Sequence, residues 1–122
     1  MKKIILICVI ALTTFSAKAQ SCDEIMEYVK KEGVHERTYN SYNSDAISKV
    51  TFYKTTVDYK TLYFAIVCFK KENIFNCSEY IYQVGSKTKL NYSLNYLESA
   101  GKAFWEYIQP YNENLGCAPN LK

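Results

Sequence analysis

Thr61-Leu62-Tyr63-Phe64-Ala65-Ile66-Val67-Cys68-Phe69 is the stretch on which the fold turns. It is apolar on both parities, too continuous for a strand with one wet face, and this predicts a central strand covered on both sides. Before it, Ile47 to Tyr53 is β-branched and aromatic and reads as a first strand, joined through a turn at Asp58-Tyr59-Lys60. After it, Lys70 to Asn76 reads as a polar loop with a hydrophobic insert, Ile74-Phe75, and Cys77 to Val84 returns as a third strand. Three strands joined in sequence order predict an antiparallel meander.

Helical signals flank the strands. Cys22, Ile25, Met26 and Val29 recur at i, i+3, i+4 and i+7, Ser21 and Glu24 fit a capping box, and Gly33 supplies a stop, so a helix is expected from Cys22 to Glu32. Val34 to Asp45 lacks periodicity and reads as a loop. Leu90, Leu94 and Leu97 have helical spacing, weakened by the polar residues between them. Ser99 to Gln109 reads as a helix with Ala100, Ala103, Phe104, Tyr107 and Ile108 on one face, Trp105 at the edge of that stripe, and Pro110 as its end. The expected fold class is therefore α+β: a three-stranded antiparallel meander with an N-terminal and a C-terminal helix packed on it, stapled by two disulfides.

The first residues read as an address. Met1-Lys2-Lys3, the apolar run Ile4 to Leu12 and Ala17-Lys18-Ala19 follow the basic, hydrophobic and small-residue pattern of a secretory signal peptide, with cleavage expected after Ala19. The apolar stretch is shorter than the roughly 20 residues that span a bilayer, so no stable membrane anchor is expected. Lipidation at Cys22 is disfavoured by Lys18 and Gln20 just before it. The expected location is secreted or periplasmic. Lys2, Lys3 and Lys18 leave with the signal and no acidic residue does, which takes the formal charge from +3 to zero and removes the electrostatic argument for nucleic acid.

Of five cysteines Cys8 lies in the signal, leaving Cys22, Cys68, Cys77 and Cys117. Four cysteines in a small exported chain read as a disulfide framework. Cys68 and Cys77 end and begin neighbouring strands, and Cys22 and Cys117 sit near the mature termini, so the expected pairs are Cys68 with Cys77 and Cys22 with Cys117. A metal site is not expected, since there is no C-x-x-C pair and His35 is the only imidazole. No cofactor is expected.

The stretch from Ser44 to Tyr111 resembles the KTSC domain, a short bacterial domain found alone and at the C-terminus of some lysyl-tRNA synthetases. The residues that carry the likeness are Ile47, Val50 and Phe52; Leu62, Phe64 and Ile66; the Tyr80-Ile81-Tyr82 element, like the family's central Y-x-Y; and Ser99-Ala100-Gly101-Lys102-Ala103-Phe104 with Ile108 and Tyr111. The chain departs from the family in its export signal, its cysteines, the added Cys22 helix and Cys117 tail, and an Asn-rich segment before Ser99. The resemblance implies an antiparallel sheet packed on helix; RNA binding has only been suggested for the family. The organisation that follows is a signal over 1–19, a helix and loop over 20–43, the KTSC-like domain over 44–111 and a tail over 112–122.

No constellation announces a reaction. Ser-His-Asp or Cys-His chemistry would have to use His35, in a polar segment. Asp23 with Glu27, and Glu98 with Glu106, pair carboxylates at spacings that a helix surface explains. Gly85 and Gly101 read as turn and helix-packing positions. Tyr80 and Tyr82 share a sheet face, the geometry of an aromatic platform for bases or sugars, weighed against covering the helix-packed side. Trp105, beside Lys102 and Glu106, is a candidate surface contact. The function expected is an exported, non-enzymatic protein-interaction module, for example a periplasmic inhibitor or immunity partner, with nucleic-acid or glycan binding on the Tyr80/Tyr82 face as the alternative.

Overall fold

The computed structural model describes residues 14–71 and 76–119, with side chains described from Ser21 onward. The hydrophobic segment of the expected signal, Cys8 and the Ile74-Phe75 insert lie outside the described residues. The order of elements is α1 (Thr14–Glu32), β1 (Val34–Asn40), β2 (Ile47–Val57), β3 (Lys60–Lys70), β4 (Cys77–Val84), α2 (Thr88–Asn95) and α3 (Ala100–Tyr107). A 3₁₀ turn (Gln109–Tyr111) and a single helical turn, α4 (Asn112–Leu115), follow.

The four strands form one antiparallel sheet in the order β1-β2-β3-β4, so the architecture is α+β as expected, with a fourth strand. The segment expected to be a loop supplies that strand. Val34–Asn40 carries His, Glu, Arg, Thr and Asn, has no apolar alternation, and sits at the sheet edge, where one row of backbone groups and most side chains meet water. Only Tyr39 packs against the larger of the two hydrophobic clusters. The strand follows α1 directly, because Gly33 reverses the chain in one residue: its N–H donates to Val29 O at 2.9 Å, and a Cβ there would lie 2.5 Å from that carbonyl oxygen.

β2 runs four residues beyond the expected Tyr53. The hairpin to β3 is a two-residue turn at Asp58 and Tyr59, both at positive φ (51° and 65°), whose twist suits the flanking strands and lets pairing continue to Val57↔Lys60. Lys60 therefore belongs to the strand and not to the turn.

The sheet is covered on both faces, as the continuous apolar run of β3 requires. Strand alternation and register place Val50, Phe52, Ala65, Val67, Tyr82 and Val84 on one face, against Tyr92 of α2, Ala100, Ala103 and Phe104 of α3, and Ile108. The aromatic rings meet edge-on or tilted: Phe104 lies 5.2 Å from Phe69 and 5.6 Å from Tyr82, and Tyr92 lies 5.8 Å from Phe52. The other face carries Phe64, Ile66 and Ile81 under Val29 of α1, with Ile25, Met26, Leu115 and Cys117 around them.

Two end corrections concern helices. α1 begins at Thr14, so Ser21 lies inside the helix rather than at its cap, and the helix passes through the expected cleavage position without interruption. Ala17, Lys18, Ala19 and Gln20 are good helix formers, which extends the helix whenever they remain attached. α3 is capped by Ser99, whose Oγ accepts from Lys102 N at 3.2 Å, and ends at Tyr107, before Pro110 enters the 3₁₀ turn. The expected tail is not wholly irregular: α4 lies in it, and Gly116 ends that turn in the left-handed conformation (φ 65°).

Candidate functional site

The two expected cysteine pairs are the ones formed. Cys22–Cys117 joins α1 to the segment after α4 with a Cα separation of 5.7 Å, and Cys68–Cys77 links β3 to β4 at 5.4 Å, both within the span a disulfide bridges. Cys68 pairs in register with Glu79, two residues from Cys77, so the second bridge is diagonal, on the α1 side of the sheet. Two disulfides fit an oxidising, extracellular-type environment. No helix among the described residues is long and apolar enough to cross a membrane.

Tyr80 and Tyr82 do share a face, and it is the face beneath α3. Tyr82 is 1% exposed and Tyr80 is partly buried against Phe69. Burial, reinforced by the neighbouring Tyr80, holds the Tyr82 phenol well above its usual pKa range. An enclosed ring offers no stacking platform. Trp105 is 47% exposed on α3, its ring edge-on to Phe104 at 5.8 Å, and Lys102 is exposed on the same helix.

The other candidate groups are dispersed. His35 Nε2 lies 2.9 Å from Thr38 Oγ1, with its ring edge-on to Tyr53 at 5.5 Å. Asp23, Glu27, Glu98 and Glu106 are all exposed on or beside helices. Two ion pairs tie helices to edge strands: Lys30 of α1 with Glu79 of β4 at 2.7 Å, and Lys89 of α2 with Glu36 of β1 at 2.9 Å. Glu36 is the extra residue of a β-bulge between His35 and Arg37.

The sequence reading placed the contact surface on α3 and β4 and passed over α2. There Leu90 and Leu94, two of the three leucines expected to mark a helix, are its outer face, and Leu97 falls in the turn just beyond it: the three are 57%, 73% and 83% exposed, while Tyr92 is fully buried and Tyr96, at the helix C-cap, packs against the same core. Two stripes compete over this helix and the turn that follows it, one of leucine at 90, 94 and 97 and one of tyrosine at 92 and 96. Hydrophobicity favours the first as the core face. Shape decides for the second, because the tyrosines stack on each other at 5.5 Å and reach Tyr39 across the β1 end of the sheet. Large apolar side chains left exposed at the end of a helix are a feature that interaction sites share.

Comparison of the chain with protein-family models, with curated proteins and with solved structures finds no match.

Proposed function

We propose that this chain is an exported, non-enzymatic protein-interaction domain of the KTSC type, released by cleavage after Ala19, and that it engages its partner through the leucine row of α2. A periplasmic inhibitor or immunity partner is one concrete form of that role. The observation that carries the reading is the inversion on α2, where the leucines stand in water and the tyrosines fill the core. Two disulfides stiffen the small scaffold and fit the proposed compartment. A partner's apolar side chains would bury the row, and half-exposed Trp105 on the neighbouring helix is a second anchor.

The test is affinity capture from a native envelope extract by the oxidised protein, by its Leu90→Glu/Leu94→Glu variant and by Trp105→Ala. A stoichiometric partner retained by the parent protein and lost with the leucine pair supports the reading. Equal capture by parent and leucine variant removes α2 as the contact surface.

A further inference from the structure

The outward side of α2 has an order along its length. Lys87 is the N-cap and exposed, its carbonyl accepting the N–H of Asn91 at 3.0 Å, and Leu90 and Leu94 follow it at helical spacing on the same side. Beyond the helix, Ser99 N donates to Asn95 O at 3.3 Å, so the chain completes one more α-turn and carries exposed Leu97 and Glu98 past Leu94. The side therefore runs from a cation through leucines to a carboxylate.

Both charges stand at the wrong ends for the helix that bears them. A helix N-terminus favours anions and a C-terminus cations, yet no acidic residue lies in the first turn of α2 and no basic one in its last. Among the described residues neither Lys87 nor Glu98 has an ion-pair partner, whereas Lys89, in the first turn, is held within the chain by Glu36 at 2.9 Å. The helix gains nothing from Lys87 and Glu98. Their placement suits a charge pattern outside the chain.

That pattern is the helix's own reversal. An identical helix laid antiparallel about a two-fold axis level with Tyr92 sets Leu90 of each copy opposite Leu94 of the other, and Lys87 of each opposite Glu98 of the other, since both pairs are centred on the same level of the helix to within half a residue. A parallel pair would oppose lysine to lysine and glutamate to glutamate. The antiparallel pair also opposes the two helix dipoles, and every contact in it is made twice, as an isologous interface requires. Without its signal the chain carries 12 cationic and 12 anionic side chains, and a protein near zero net charge has no long-range repulsion between copies to overcome.

We propose that the leucine side of α2 is closed by a second copy of this chain, docked antiparallel across a two-fold axis. The inference rests on the reading of α2 as the contact surface and names what occupies that surface before any other protein does. Two short helices make an interface at the small end of the range, so the dimer is a weak one, with a Kd of about 10–100 µM. The leucines supply its affinity, and the charges fix its direction.

The experiment is sedimentation velocity of the oxidised protein from about 1 µM to about 500 µM, a span that brackets that Kd. A change from monomer to a plateau at dimer is expected, with Leu90→Glu/Leu94→Glu monomeric throughout. Lys87→Glu alone and Glu98→Lys alone should each weaken the dimer about fivefold, as exposed ion pairs lost twice over would, and Lys87→Glu/Glu98→Lys should restore it to within about twofold of the parent. A protein monomeric at every concentration overturns the proposal. If the leucine pair still governs capture of a different protein in that case, the reading of α2 as a contact surface stands without the dimer. Dimerisation undiminished in Leu90→Glu/Leu94→Glu, association that continues past the dimer, or a charge exchange that fails to restore binding overturns the proposal as well.

Discussion

The two faces of the sheet are held by different means. On one, α2 and α3 contribute Tyr92, Ala100, Ala103 and Phe104 to a cluster of twelve buried residues, joined by edge-on and stacked rings and without a covalent link to the sheet. On the other, α1 contributes a single fully buried side chain, Val29, to a cluster of four, and its register is fixed by Cys22–Cys117. The difference teaches where a small domain needs a staple. A helix that buries little apolar surface gains little on docking, and a crosslink that restricts the unfolded chain supplies what packing does not.

Four substitutions sharpen or break this contrast. Phe104→Ala removes the ring that touches Phe69 and Tyr82 and should cost about 3–5 kcal/mol in urea unfolding. Replacing Cys22 and Cys117 together by Ser opens a loop of 95 residues' separation and should cost about 2–4 kcal/mol. Val29→Ala, the corresponding truncation on the thin face, should cost about 1.5–2.5 kcal/mol. A loss at Val29 equal to that at Phe104 would erase the distinction between the faces.

The fourth and smallest effect is in pH. Burial pushes the Tyr92 phenol up to about 12 from its ordinary 10.0, with the Ser41 hydroxyl pulling the other way and the neighbouring Tyr96 adding to the rise. The unfolded chain releases this proton near pH 10 while the folded one holds it. Tyr92 therefore contributes stability that is complete below pH 10 and lost as pH rises from about 10 towards about 12. The urea midpoint should fall over that interval, and Tyr92→Phe should flatten the fall.

The same contrast separates what could be read in the sequence from what could not. β3, β4, α1 from Cys22 onward and α3 have strong apolar patterns, and the disulfide pairing followed once the strands were placed. β1 was not legible: an edge strand buries little, and Val-His-Glu-Arg-Thr-Tyr-Asn carries no alternation to detect. The Asp58-Tyr59 turn was one residue too long in the reading, because tyrosine at positive φ is unusual and Lys60 is polar. On α2 the spacing was visible and its direction was not, since leucine at 90, 94 and 97 outweighs tyrosine at 92 and 96 on any hydrophobic scale. A cleft between the β1–β2 loop and the connection from α2 to α3 was illegible for another reason: its walls come from segments about fifty residues apart, each polar and each reading alone as a connection.

Amide hydrogen exchange of the oxidised parent and of the Cys22→Ser/Cys117→Ser variant tests the contrast most directly. Loss of the staple should lower protection in α1 at least tenfold, while the amides of β3, β4 and α3 keep protection set by the global stability of the variant. Uniform loss over both faces, or an α1 as protected as in the parent, would contradict the view that the disulfide holds the thin face.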